Sequence, residues 1–357
     1  MSPTYNKGEW SEAYVLVKVL TDGVLFQGNG QLGASGDSPY EVLSVFRRDE
    51  GGLEKHYIRD KDRVHVSFYG GGTLSIEMSK FEKSTELILK EIKEGSGRSF
   101  ALSPSLWSLL NELSIKQIKA PSGEKTDIKV EIRDHFGGIK SLLGFSVKSQ
   151  LGGASTLVNA SKTTNFRYKV NCSDEVAEQA QSVNRGKETV RFLKDHGAEI
   201  QFSEVLNETY RNNLRLIDAD LSLILGECLL EYYSSTGSLL TSVLAALDES
   251  NPCRFPSDQG TSFYDYKLKK YLTESALGMM PGTSWIGKHD ATGGYIVVKE
   301  SGELLSYHLL RKNLFEDYLI ENTRFETAST TRHVFGGLIK DANGYFIDLN
   351  LQIRFLK

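Results

Sequence analysis

Two short alternating stretches, one starting at residue 125 and one ending at residue 149, constrain the fold more than anything else in this chain. The first reads Lys125-Thr126-Asp127-Ile128-Lys129-Val130-Glu131-Ile132, the second Leu143-Gly144-Phe145-Ser146-Val147-Lys148-Ser149. Ile128, Val130 and Ile132 alternate with polar residues, as do Phe145 and Val147, which is the pattern of half-buried strands. With Gly137 and Gly138 at the bend, the two form an antiparallel hairpin, and that pairing predicts Asp127 opposite Lys148.

Around this hairpin the pattern is mixed. Residues 9–20 read as a helix, with Ala13, Leu16, Val17 and Leu20 on one face, and Asp22-Gly23 ends it. Residues 23–80 read as short strands between Gly-rich turns such as Asn29-Gly30 and Gly70-Gly71-Gly72. Helices are expected around 81–94, 103–113, 174–196 and 218–233. Strands return from about residue 285, at 294–298 and at 345–355, the latter entered through the turn Asp341-Ala342-Asn343-Gly344. The class is α/β (α+β), and 357 residues suffice for two or three packed units. No internal repeat or low-complexity linker is present.

No apolar run reaches the roughly eighteen residues of a bilayer span, so no membrane segment is expected. The N-terminal residues lack an apolar signal core. Cys172, Cys228 and Cys253 are far apart and in no metal-ligand spacing, which suits a reducing cytoplasm. The net charge of −4 argues against a polyanion partner only weakly, because the charge is uneven. From Lys116 to Val170 ten Lys/Arg face four Asp/Glu, a balance of +6; from Asn171 to Ser250 six face fourteen, a balance of −8. A basic segment can attract a polyanion locally, although an uneven solvated surface reads the same way.

An acid at the start of one strand and a lysine near the end of its partner can build a metal-dependent phosphodiesterase site. Hydrolysis needs a cation to neutralise charge at phosphorus, an oriented water and a stabilised leaving oxygen. Mg2+ takes carboxylate, carbonyl and water oxygens, so one or two acids suffice. Asp127 supplies one ligand, the main-chain carbonyl of Val147 another, and Lys148 stands to orient or assist the water. The plainer reading is a cross-strand Asp–Lys pair, which is common. Glu131 and Asp134 are rivals, but Asp134 lies by the turn, and the six steps from Asp127 to Arg133 alone cover roughly 20 Å.

Three further features carry candidate residues. Glu9 and Glu12 are neighbours on the first helix, and Glu9 lies in line with its apolar stripe. A carboxylate there needs a cation or donors, unless it simply complements the helix dipole. The segment 152–166 follows the Lys148 strand and is dense in small donors: Ser155, Thr156, Asn159, Ser161, Thr163 and Asn165, with Lys162 among them. Such groups contact phosphates, and they also make ordinary turns and caps. The segment 322–333 holds Arg324, Ser329, Thr330, Arg332 and His333. Arginine there could grip guanine bidentately, and a polar loop between strands is the alternative.

Together these residues resemble the HpaII-type restriction endonucleases, a branch of the PD-(D/E)XK nuclease superfamily. The blocks that carry the resemblance are Asn6-Lys7-Gly8-Glu9-Trp10-Ser11-Glu12, residues 125–128, and Gly144-Phe145-Ser146-Val147-Lys148-Ser149 running into Leu157-Val158-Asn159-Ala160-Ser161 and Thr164-Asn165-Phe166. The end adds Asn322-Thr323-Arg324-Phe325-Glu326-Thr327, then Ser329, Arg332, His333 and Leu349-Asn350-Leu351-Gln352-Ile353-Arg354-Phe355.

The resemblance implies a Mg2+-dependent type II enzyme that cuts double-stranded DNA at CCGG and leaves 5′-phosphate ends. It implies a mixed central sheet flanked by helices, with an additional β-rich C-terminal region. The expected organisation is a nuclease core over 1–170, a helical acidic region over 171–284 and a β-rich DNA-recognition region over 285–357. The superfamily's first acid maps onto Asp127 and its lysine onto Lys148. Its middle acid maps onto Ser146, where the pattern fails, because serine supplies no carboxylate. Glu9 is the expected substitute, with Glu12 the fallback, and Gln150 could add a neutral oxygen. A palindromic target suggests a homodimer, while some enzymes of this kind act as monomers. A cognate cytosine methyltransferase would act on the same site without being a bound partner. A repair or methylation-dependent nuclease, or a non-catalytic DNA-binding protein, are the rival functions, and the setting would be a prokaryotic cytoplasm.

Overall fold

The structure is a computed structural model that describes residues 3–36, 38–48, 54–68, 71–115, 118, 126–134, 138–256, 260 and 262–357. Lys125, Gly70 and Gly137, used in the sequence reading, lie outside the described residues. The first part of the chain runs β1 (Thr4–Tyr5), α1 (Lys7–Asp22), β2 (Val24–Gln27), β3 (Tyr40–Arg48), β4 (Glu54–Arg59), β5 (Arg63–Phe68), β6 (Thr73–Glu77), α2 (Met78–Glu94), β7 (Phe100–Ala101), α3 (Pro104–Glu112), β8 (Ile128–Arg133) and β9 (Lys140–Ser149). The middle holds β10 (Thr156–Val158), β11 (Asn165–Asn171), α4 (Asp174–Ala180), α5 (Lys187–Asp195), β12 (Glu199–Val205), α6 (Glu208–Ile217), α7 (Leu221–Ser234), α8 (Leu240–Ser250) and α9 (Phe263–Leu277). The last part adds β13 (Gly294–Val298), β14 (Leu304–His308), α10 (Lys312–Glu321), β15 (Thr323–Phe325), α11 (Thr330–His333), β16 (Leu338–Asp341), β17 (Gly344–Asn350) and β18 (Ile353–Phe355).

The chain forms two compact units, residues 1–155 with 290–318 and 357, and residues 156–289 with 319–356. The first is built on a nine-stranded mixed sheet in the order β2-β14-β13-β9-β8-β3-β4-β5-β6. β13 runs parallel to β9, and β14 parallel to β2. β2 also pairs with β3, so the strands from β2 to β3 form a closed circuit of pairing.

Helix α1 forms as its sequence predicts. Asn6 caps it in a reciprocal box with Glu9, and Gly23, at φ 68°, ends it in the left-handed conformation that glycine adopts without strain. The expected face of Ala13, Leu16, Val17 and Leu20 is fully buried, and so are Trp10, Val15 and Val19, in one core with Ile128, Val130, Ile132 and Phe145. The Trp10 indole meets Trp107 edge-on and donates to the Phe100 carbonyl at 3.0 Å, and Tyr14 donates to the Gly302 carbonyl at 2.6 Å.

The β8–β9 hairpin is antiparallel as expected, but its register differs. Ile128 pairs with Phe145, and the Asp127 N–H donates to the Phe145 carbonyl at 2.9 Å. Asp127 therefore lies alongside Ser146, not Lys148. β9 starts at Lys140, ahead of the alternation from Leu143, and Gly138 stands at φ 64°.

The second unit holds a four-stranded sheet, β12-β11-β17-β16, and a three-stranded one, β10-β18-β15. The single strand expected over 345–355 is two strands in different sheets. Between them the Leu351 N–H donates to Thr164 O, and Gln352 O accepts from Glu326 N, so the backbone changes partners there. The 341–344 turn is a hairpin turn, tightened by the Asp341 carboxylate accepting from the Asn343 N–H.

Candidate active site

Strand alternation sends Ser146 and Lys148 to one side of β9 and Phe145 and Val147 to the other. Asp127, just ahead of β8, completes a tight cluster with the first pair. Its Oδ2 accepts from the Ser146 hydroxyl at 3.1 Å and from the Val147 N–H at 2.7 Å. Lys148 Nζ donates to the same hydroxyl at 3.1 Å. Ser146, 5% exposed, thus bridges the acid and the lysine. The Val147 N–H faces Asp127, and the carbonyl of the same residue points to that same edge.

Burial pushes the Asp127 carboxyl above its ordinary range, while Lys148, the Val147 and Ser146 donors and Arg47 of β3 pull it back. Burial pushes the Lys148 amine down, opposed by the charges of Asp127 and Glu12. Each charge is therefore held by the other, in surroundings that favour the neutral form of both.

Lys148 and Val147 line a cleft of about 670 Å³ together with Glu9, Glu12, Arg98, Gly152 and Ser155. The two helical acids differ in what they do. The Glu9 carboxylate accepts from the Asn6 N–H at 2.9 Å as part of the helix cap, whereas Glu12 is the acid whose charge reaches Lys148. Ser11, between them, donates to Ser149 at 2.7 Å and ties α1 to the end of β9. Gln150 uses its backbone N–H on Val298 O. Among the described residues no group of three or more His, Cys, Asp or Glu gathers as a metal cage. The donors here suit a cation that keeps its waters, because a small hard ion takes one or two carboxylates plus carbonyl, water and substrate oxygens.

The profile of the HpaII restriction endonuclease family matches residues 6–355. The type II restriction enzyme HpaII of Haemophilus parainfluenzae is 40% identical over 353 residues, covering 98% of each chain. The chain belongs to the HpaII restriction endonuclease family. It is accordingly a type II restriction endonuclease, a site-specific deoxyribonuclease, and enzymes of that class generally use a divalent metal. No solved structure matches it. Among the described residues no helix is long and apolar enough to cross a membrane.

The remaining candidates of this HpaII-family chain, apart from Ser155, lie in its second unit. Thr156 pairs with Arg354 in the three-stranded sheet, and Asn159 and Lys162 are exposed. Ser161 caps a short 3-10 turn, its hydroxyl 2.5 Å from that of Thr163. Asn165 is buried, accepting from Asn350 at 2.7 Å and donating to the His333 carbonyl at 3.1 Å. Arg324 lies 3.8 Å from Glu326, which also pairs with Arg354 at 2.6 Å. Ser329 caps α11 by accepting from the Arg332 N–H, and Thr330 opens that helix. Arg332 is exposed; partial burial, and then the Arg332 charge, lowers the pKa of His333.

Two groups at the cluster were not singled out from sequence: Arg47, whose charge acts on Asp127, and Tyr295, whose ring lies under Lys148. The strand holding Tyr295 was legible, but its neighbour in the sheet, about 150 residues earlier, was not.

Proposed function

We propose that this endonuclease hydrolyses double-stranded DNA at CCGG with Mg2+, leaving 5′-phosphate ends, through a PD-(D/E)XK-type core made of Asp127, Ser146, Val147 and Lys148. The observation that carries the reading is the Asp127–Ser146–Lys148 hydrogen-bond chain beside an open cleft. Its target rests on the family and on the 40% identity to HpaII.

The residues fit a divalent cation by their chemistry. Among the described residues the hydrogen bonds that Asp127 accepts fall on Oδ2, which leaves Oδ1 to meet an ion. The Val147 carbonyl faces the same edge. Glu12, rather than Glu9, is our choice for the second carboxylate, because Glu9 already serves the helix cap. Mg2+ when bound supplies neutralisation of charge at the scissile phosphate and acidification of water. Lys148, held by Ser146, orients the attacking water and meets the charge that develops as the phosphodiester bond breaks. Ser146 keeps acid and lysine at a fixed spacing without a third carboxylate. Phosphates would be held by Ser155, Lys162 and their neighbours, and bases read from the 324–333 segment, each well-gripped guanine adding about 1–3 kcal/mol of discrimination.

A two-fold assembly on the palindrome, a methyltransferase acting on the same sequence, and a place in the prokaryotic cytoplasm belong to this reading. A plasmid carrying CCGG, incubated with Mg2+, tests it. Cutting confined to CCGG is expected, and cutting elsewhere removes the target assignment. Asp127→Ala and Lys148→Ala should each abolish cleavage while DNA binding in Ca2+ survives. Loss of binding in both would reassign the pair to folding.

A further inference from the structure

Tyr295 of β13 pairs with Ser146 across the parallel ladder and is 2% exposed. Its ring therefore shares the side of the sheet that carries Ser146 and Lys148. The Lys148 ammonium sits 4.7 Å from the ring centroid. Phe315 meets the ring edge-on, with centroids 5.4 Å apart and planes at 83°, which fixes its tilt.

We propose that Tyr295 is a positioning residue for DNA cleavage, its ring face seating the Lys148 ammonium where a carboxylate at position 146 would otherwise help to hold it. The inference rests on the reading that Lys148 acts in the reaction. A lysine has a flexible stem and a compact charge with three donors, so one hydrogen bond does not fix it. Here the Ser146 hydroxyl takes one N–H at 3.1 Å, and the ring closes the side facing β13. An aromatic face attracts an ammonium without adding a net charge, and most strongly where water is displaced. The charged groups around the amine are Asp127 from the β8 side and Glu12 from α1, and both draw it toward themselves. The ring opposes that drift, so position is what Tyr295 contributes.

The test uses the full chain with lysine carrying ¹³C at Cε, without metal. The Lys148 signal, identified by its loss in Lys148→Gln, should be shifted upfield by the ring in the wild type and in Tyr295→Phe. It should return to the ordinary lysine position in Tyr295→Leu. Single-turnover cleavage of a CCGG duplex should fall about tenfold in Tyr295→Leu, at unchanged DNA affinity in Ca2+, and stay near wild type in Tyr295→Phe. Should Tyr295→Leu not fold, Tyr295→Met gives the same contrast of ring against no ring. An unshifted Lys148 signal in the wild type overturns the inference without any variant. So does wild-type cleavage by the ringless variant, or an equal loss in Tyr295→Phe, provided Lys148→Gln is inactive. Normal cleavage by Lys148→Gln would instead sink the catalytic reading beneath it.

Discussion

Ser146 is buried, and its hydroxyl both donates to Asp127 and accepts from Lys148. A carboxylate there would face Asp127 directly, and two acids sharing a buried site repel unless a cation lies between them. Ser146→Asp should therefore lower stability in EDTA by about 1–3 kcal/mol through the lost hydrogen bond and the added charge, and recover part of it with Mg2+. Melting curves with and without the ion check this, and equal loss in both would mean that no cation sits there. His308 gives a second test at this scale. It is 2% exposed, its Nδ1 accepts from the Leu310 N–H, and burial lowers its pKa from 6.5 to about 4, with Asp134 pulling the other way. The unfolded chain binds the proton first, so the stability from the neutral ring is complete above the unfolded value and drains as pH falls toward the folded one. That drain amounts to about 3 kcal/mol over the window. His308→Asn keeps an acceptor for Leu310 and should lose this part of the acid sensitivity; identical pH–melting profiles would contradict it.

Strand β13 supplies Tyr295, and its first residue shows what the element tolerates. Gly294 stands at φ 95°, and a Cβ there would lie 2.1 Å from the Tyr307 carbonyl oxygen, a backbone atom with no room to yield. Gly294→Ala should cost at least about 1–3 kcal/mol from the strained backbone alone, and it should slow cleavage by moving Tyr295. Urea unfolding and single-turnover rates together check both halves. Much of this was legible in sequence. α1 and its apolar face follow from local spacing, and so do the strands β8 and β9, because each pattern is complete within a few residues; the part Glu9 plays in the Asn6 cap was not read there. The pairing of Asp127 with Lys148 was not, since alternation says which side a residue faces but not how far two strands slide. The slide is set by Phe145 pairing with Ile128 in the core, and it exchanges Lys148 for Ser146 beside the acid. The break after Asn350 was hidden for a similar reason. Leu351-Gln352 continues an apolar alternation, and only distant partners, Thr164 and Glu326, divide it.

The whole chain carries −4, yet it must bind a polyanion, so local cations have to dominate. Binding in Ca2+ should weaken with salt, with log K falling by about 0.9 per phosphate contact on a log scale. Lys162→Gln and Arg332→Gln, both at exposed positions, should each reduce that slope by about one and weaken cognate and unrelated DNA alike. A slope that does not move excludes the residue from the backbone contacts. The sheet order has a consequence of a different kind. β9 pairs on one side with β8, its neighbour in sequence, and on the other with β13, and the chain between β9 and β13 builds most of the second unit. The hairpin that carries Asp127 and Lys148 closes a short loop and can form early; the pairing that brings in Tyr295 closes a long one and pays far more chain entropy first. A refolding molecule would pass through a stage in which Ser146 already bridges Asp127 and Lys148 on a hairpin but the lysine has no ring beneath it. Full nuclease activity would then wait for the β9–β13 pairing, and a chain folded only as far as the hairpin would cut DNA more slowly.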